Sequence, residues 1–486
     1  MRGTLFCTVV GLVSACSFAP KYERPPTDPP GEWRVPDSGG ASLADLPWWQ
    51  VFQDPALQEL IRIALAQNKD LKIAVTRIAQ ARAEAGIVNA ALFPQIGASG
   101  SASREKVSER SYPPFPAPFT NNNFSLGADA AFEVDLWGRL RNASAAAQAN
   151  LLATEDAQRT VVITLVSDVA QTYFELRASD QDLGVALRTR DIRAESLRIV
   201  KSRYDRGIAA ELDLAQAQRQ YEGAVAAVPL IEKQIAQTEN RLSILLGHNP
   251  GAIVRGIALS EQPAPPAVPA GLPSALLEQR PDLRAAEQRI VAANARIGEA
   301  RALYFPRIAL TGSYGYASKS LSDLFTGPAR VWAGAAGFAV PIFDAGRISS
   351  TVDLAQAQQQ EAILSYQQSV QQAFREVDDA LIAYRKTRES RDAQVRLVDA
   401  AQRAFGTADK RYLHGVSSYL EVLDAQRELF NAELTLTRTE LDELVAIVQL
   451  YKALGGGWNA QSEATPVATA IPDGVTVESA NEAPQD

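Results

Sequence analysis

The chain is poor in the residues from which reactive sites are built. Its 486 residues include two cysteines, two histidines and one methionine. His248 and His414 stand in no metal-ligand or catalytic-triad spacing. The methionine is Met1, so no thioether relay for copper or silver is available. The stretch from Gly334 to Gly337 lacks the strand-loop-helix context of a phosphate-binding glycine loop. An enzyme, a metal and a bound cofactor are therefore not expected. There is no Lys/Arg block, and the formal net charge of -8 argues against nucleic acid as a partner. Beyond the N-terminal segment no apolar run reaches the roughly 18 residues of a transmembrane helix, which excludes that kind of span.

What is present is a duplication. Arg203-Tyr204-Asp205-Arg206-Gly207, followed by Leu212-Asp213 and Ala217-Gln218-Arg219, returns 208 residues later as Arg411-Tyr412-Leu413-His414-Gly415, Leu420-Glu421 and Ala425-Gln426-Arg427. Asn68 to Leu71 and Leu92 to Ile96 return 212 residues later as Arg280 to Leu283 and Tyr304 to Ile308. Two copies of about 200 residues are too few and too long for a solenoid. They imply a fused pair whose halves take equivalent places in one symmetric object.

The N-terminus reads as a secretory signal over residues 1–15: Met1-Arg2, an apolar core from Leu5 to Val13, then small residues. Val13-Ser14-Ala15-Cys16 resembles the bacterial lipobox, in which Cys16 carries covalent lipid. An ordinary signal that happens to end in cysteine is the alternative. Cys7 lies in the removed segment, so the mature chain keeps one thiol and forms no internal disulfide.

Residues 16–47 are proline-rich and read as an extended tether. The first repeat spans 48–261. It opens with a helix from Asp54-Pro55 to about Leu92, followed by a β-hairpin over about 95–136. A long helix covers 138–204, and a return helix covers 211–246, disturbed at Pro229. A proline-rich connector, 262–273, leads to the second repeat at 274–455. Here the hairpin is expected over about 307–343, the long helix over 347–412 and the return helix over 419–454. The tail, 456–486, is expected to be disordered.

Two periodicities carry this reading. In 124–136 the even positions are Phe124, Leu126, Ala128, Ala130, Phe132, Val134 and Leu136, while Asp129, Glu133 and Asp135 fall among the odd ones. The second hairpin alternates likewise, with Trp332, Phe338, Val340 and Ile342 on one face. In the long helices Val162, Val166, Val169, Tyr173 and Leu176 step by four and three, as do their counterparts from Val370 to Tyr384, which signals coiled-coil packing. Without proline each long helix would span about 100 Å. Both end at a Tyr-x-x-Gly turn, Tyr204 to Gly207 and Tyr412 to Gly415, where glycine suits a left-handed cap.

Two hairpins supply four amphipathic strands. In lipid every backbone group must be paired, so four strands cannot stand open in a bilayer and must be pooled among chains. Three chains would give a twelve-stranded barrel, with even positions toward lipid and Asp129, Glu133 and Asp135 lining an acidic lumen. The fold class is thus a mixed α/β membrane protein, internally duplicated. A soluble coiled coil carrying a small β-sandwich is the alternative.

The duplication, the Tyr-x-x-Gly turns and the alternating hairpins resemble the TolC family of outer-membrane efflux channels over nearly the whole mature chain. Three stretches place the resemblance in the lipoprotein branch, OprM-like or NodT-like: Cys16 to Tyr22 with Pro25; Trp48 to Phe52 with Asp54 and Leu57; and Leu272-Pro273-Ser274 with Leu277 to Leu283. The resemblance implies a homotrimer with a twelve-stranded barrel in the outer membrane of a Gram-negative bacterium and a twelve-helix periplasmic α-barrel. It also implies a periplasmic adaptor and an inner-membrane pump of the resistance-nodulation-division (RND) type, for which the trimer is a passive duct for drugs or toxic solutes. A duct for polypeptide secretion driven by an ATP-binding exporter is the alternative, and a purely structural spacer a third.

In that family the helix-tip turns close the entrance. The matching residues are Leu420, Glu421, Asp424 and Arg427, with Asp213 answering to Glu421, Gln216 to Asp424 and Arg219 to Arg427. Glu421 and Asp424 share one helix face, continued by Arg427. Rings of carboxylates, an apolar ring at Leu420, or both could form the gate. An exposed helix with intrahelical pairs such as Asp424–Arg427 is the plainer reading.

Overall fold

The computed structural model describes residues 17–34, 43, 46–108, 110, 120–263 and 273–456. The signal segment 1–15, Cys16, parts of the tether, the loop from Ser111 to Pro118, most of the connector and the tail beyond Gly456 lie outside the described residues. The helices are α1 (Trp48–Val51), α2 (Pro55–Gln67), α3 (Lys69–Ala90), α4 (Arg139–Asp205), α5 (Glu211–Leu245), α6 (Leu276–Gln279), α7 (Pro281–Ala302), α8 (Arg347–Leu413) and α9 (Tyr419–Ala453). The strands are β1 (Gln95–Lys106), β2 (Thr120–Val134), β3 (Arg307–Ser318) and β4 (Arg330–Ala339). No described helix is long and apolar enough to cross a membrane.

Two compact units divide the chain, one formed within 1–32, 70–161 and 272–376, the other within 33–69, 162–271 and 377–486. The first holds the sheet, four antiparallel strands in the order β1-β2-β3-β4. Beneath its strands, Ala146 and Ala149 of α4 pack on Ala292 and Ala295 of α7. Small side chains there let the two helices approach closely. An N-terminal strap lies along α7. Asn294 Nδ2 donates to Pro20 O at 2.6 Å, Arg301 Nη1 to Phe18 O at 3.2 Å, and Tyr22 Oη to Glu287 Oε1 at 2.8 Å. Gly298 makes room for it, since a Cβ there would stand 2.7 Å from Ala19 N.

The second unit is centred on α4 between Ile163 and Ala178. The heptad spacing predicted one buried stripe; the structure buries more. Ile163, Leu165, Val166, Val169, Ala170, Tyr173, Phe174 and Leu176 are all buried, which encloses the helix over most of its circumference. Asp54 anchors the surrounding loops. It is fully buried, and its side chain accepts from Ala56 N (2.9 Å), Tyr173 Oη (2.7 Å), Ile257 N (3.0 Å) and Gln262 Nε2 (3.0 Å). One carboxylate thus caps α2 and ties it to α4 and to the chain after α5. Burial first, then this hydrogen bond, raises the Tyr173 hydroxyl above its ordinary pKa.

The structure departs from the sequence reading at several points. The helix expected from Asp54 to about Leu92 is two helices broken at Asn68, whose backbone turns extended (ψ 135°). Asn68 Nδ2 is spent on Leu245 O at 2.9 Å, a tertiary contact that local pattern does not reveal. α5 runs through Pro229 as one 35-residue helix, because a single missing amide bond is outweighed by the bonds on either side. β2 stops at Val134, so Asp135 and Leu136 belong to the turn into α4; Val340 and Ile342 likewise lie past the end of β4.

Replacing Asp54 by Ala strands several buried donors at once. The expected loss of stability is about 3 kcal/mol, read as an earlier denaturant midpoint. A midpoint equal to that of the parent chain would show that the carboxylate does not anchor these loops.

Candidate functional site

Two regions carry chemistry suited to a conduit: the sheet in the first unit and the helix tips in the second. Across the sheet the register aligns Ile96 with Ala130, Leu126 with Tyr316, Phe132 with Leu310, Ile308 with Phe338 and Tyr314 with Trp332. Because side chains alternate, all of these share one face. Much of that face is exposed, with Trp332, Phe338 and Ile96 each more than three-quarters open. A continuous exposed apolar face of this extent is stable only against lipid or another apolar surface. The opposite face is small and polar: Ser101 and Ser125 hydroxyls meet at 2.8 Å, and Gly97, Asp129 and Ser313 align. Among the described residues β1 and β4 each pair on one side only, so two strand edges stand open in the single chain.

The three acids expected in the lumen differ in setting. Asp129 lies on β2 beside Gly97, and no described cation pairs with it. Glu133 is held by Arg139 through two 2.9 Å hydrogen bonds and by Arg307 at 2.6 Å. Asp135, beyond the strand, accepts from Leu140 N at 3.2 Å and Arg141 N at 2.9 Å, capping α4. Two of the three carboxylates are therefore neutralised where strand becomes helix, and Asp129 is the one left on the strand face.

At the tips each long helix ends in a Schellman turn. Gly207 N donates to Tyr204 O (2.8 Å) and Ile208 N to Arg203 O (2.9 Å); Gly415 N donates to Tyr412 O (2.9 Å) and Val416 N to Arg411 O (2.9 Å). Gly207 and Gly415 have φ of 73° and 72°, a backbone that side chains with a Cβ adopt at a cost. Behind the turns, Val200, Ala217, Tyr412, Tyr419, Val422 and Leu423 form a small core. Burial, with Tyr412 nearby, pushes the Tyr419 hydroxyl up to about 12.

The residues matched to a gate sit on the outside of this core. Leu420 is exposed. Glu421 meets Arg411 at 3.8 Å, and Asp424 meets Arg427 at 2.7 Å, with Glu428 also reaching Arg427 at 3.1 Å. Asp213 accepts from Ala210 N at 3.4 Å, at the start of α5. Within one chain the acids thus make local pairs, the plainer of the two arrangements read from sequence. Ile208 and Val416 were not singled out by sequence, yet both are exposed, as are Leu212 and its counterpart Leu420. The signal was available: Ile208 and Val416, like Leu212 and Leu420, are 208 residues apart.

A further feature was missed. A cavity of about 550 Å³ is lined by Glu175, Asp182, Gln234, Thr437, Arg438 and Asp442 among others. Burial pushes the Asp182 carboxyl up to about 6, opposed by a hydrogen bond with Thr437. No described cluster of His, Cys, Asp and Glu is arranged to hold a metal.

Comparison with known proteins agrees with this geometry. The family model for outer membrane efflux proteins matches residues 60–248 and 272–456. The solvent efflux pump outer membrane protein SrpC of Pseudomonas putida is 40% identical over 456 residues, covering 92% of this chain and 97% of its own. The cation efflux system protein CusC of Escherichia coli is 37% identical, covering 93% and 98%. The open-state crystal structure of the Neisseria gonorrhoeae MtrE outer membrane channel superposes with a TM-score of 0.83 at 33% identity, covering 91% of this chain and 98% of that one.

Proposed function

The chain belongs to the outer membrane efflux protein family, and we propose that three copies of it form one gated, lipid-anchored duct fed by an inner-membrane pump of the RND type through a periplasmic adaptor. That it is an outer membrane efflux channel follows from its family; the stoichiometry, the partners, the gate and the anchor are the proposal. The observation that carries it is the sheet: four strands with an exposed apolar face and two unpaired edges. In lipid such a sheet must close on copies of itself, and three copies complete twelve strands. The relatives named for solvent and cation efflux favour small toxic solutes as cargo. The duct needs no catalytic group.

The anchor reading rests on the strap. Ser17 Oγ donates to Asn142 Oδ1 at 3.0 Å, and the Phe18 ring stacks on Phe305 at 4.5 Å, which stacks in turn on Trp137 at 4.9 Å. These aromatics mark the turn between strand and helix, the level where an interfacial belt is expected. A lipid on Cys16 would emerge there. Replacing Cys16 by Ser is expected to abolish incorporation of labelled palmitate while leaving folded channel; label that persists would show that Cys16 is not the acylated residue.

The gate reading places Leu420, Glu421, Asp424 and Asp213 around the symmetry axis at the helix tips. Each exposed ion pair contributes only about 0–1 kcal/mol, but threefold repetition in a narrow ring multiplies a small bias. Changing Glu421 and Asp424 together to Ala should raise passive entry of a large antibiotic several-fold. Unaltered entry with normal trimers removes these acids from the gate.

The partner assignment is tested at Val416, which is exposed in the turn after Gly415. A photo-crosslinker placed there in intact cells should capture an adaptor of a proton-driven pump. Capture of an exporter-type adaptor would instead make the chain a polypeptide secretion duct.

A further inference from the structure

The two halves repeat each other in sequence, yet equivalent arginines at the tips have different partners. Arg203, in the first half, reaches out of its own hairpin to the second-half tip. Its Nη1 donates to Tyr412 O at 3.3 Å and its Nη2 to Leu413 O at 3.1 Å, while its guanidinium lies 4.4 Å from the Tyr412 ring centroid. This is a clasp on a helix C-terminus: a cation on the last carbonyls, where the helix dipole is negative, and over an aromatic face. Tyr412 is 8% exposed beneath it.

Arg411, its counterpart 208 residues on, makes no such contact among the described residues. It leans back to Glu421 at 3.8 Å, with half its side chain exposed. In the first half the equivalent acid, Asp213, is not paired with Arg203; it accepts from Ala210 N instead. The counterpart target is also open. Tyr204 is 39% exposed, and the Tyr204 and Asp205 carbonyls end α4 as Tyr412 and Leu413 end α8. Both members of a second clasp are therefore present in each chain, and within the chain they do not meet.

We propose that Arg411 of one copy clasps the first-half tip of the next, donating to the Tyr204 and Asp205 carbonyls and covering the Tyr204 ring. Around a closed trimer this gives six equivalent clasps, three within chains and three between them. Asp205 adds a carboxylate where the internal clasp has Leu413, so the intersubunit version gains a charge partner. Glu421 is the competing partner within the chain, and its long contact is readily exchanged. The clasp rests on the trimeric reading above and names the tip residues that join its subunits.

The two clasps give opposite results in one experiment. Full-length chains carrying Tyr204→Cys with Arg411→Cys, or Arg203→Cys with Tyr412→Cys, are treated in cell envelopes with a short bis-maleimide and resolved under denaturing conditions. The first pair should give covalent dimers and trimers well above the single-cysteine controls, which also account for Cys16. The second pair should give only monomers of altered mobility. Monomers alone from the first pair, in material that still sediments as a trimer, overturn the clasp; sedimentation of the parent chain as a monomer would overturn the trimeric reading instead. An independent measure needs no cysteine: Arg411→Gln should lower the temperature at which the trimer dissociates. An unchanged dissociation temperature counts against the clasp even if the cysteine variants fold poorly.

Discussion

The constraint on which this structure depends is that a peptide group inside lipid must have a hydrogen-bond partner. Four strands satisfy it internally along three seams and leave it unsatisfied along two edges. Everything distinctive about the first unit follows from meeting that demand without a transmembrane helix. The strands alternate so that Leu126, Phe132, Tyr314 and Trp332 share the outward face. At the junction of strand and helix, Glu133 and Asp135 are consumed by Arg139, Arg307 and the first amides of α4. The second unit works under ordinary aqueous rules, and its polar anchors, Asp54 above all, are buried only because each lone pair is matched.

Much of this was legible in the chain. Alternation over Phe124 to Val134 marked a strand with two unlike faces, and freedom from proline marked the long helices that lead into Gly207 and Gly415. Those signals are local, with periods of two or near 3.5 residues, and a linear sequence displays them directly. What escaped was nonlocal. Asn68 breaks a well-patterned helix because its side chain is needed at Leu245, 177 residues away. Glu133 reads as one of three acids on a strand face, and only the fold brings Arg307 to it from the other half of the chain. Asp54 reads as a helix cap, and only the fold brings Tyr173, Ile257 and Gln262 to it.

The tips show the limit of reading by repetition. Internal duplication identified the turns, the acids and the arginines, and it placed Asp213 opposite Glu421 in the alignment. It could not reveal that Arg203 abandons its own hairpin while Arg411 remains at home. Equivalent sequences thus take different partners within the single chain.

Joining the two repeats in one polypeptide also changes the kinetics of building that object. A ring of six separate hairpin units would form through a succession of bimolecular encounters, each losing translational and rotational freedom worth about 4–15 kcal/mol at a 1 M standard state. A continuous chain from α4 to α9 makes three of those five meetings intramolecular, so a ring of three such chains closes after two encounters. Fusion thereby lowers the reaction order of assembly. Dilution, the ordinary enemy of a multi-subunit pore at low expression, weighs correspondingly less on this one.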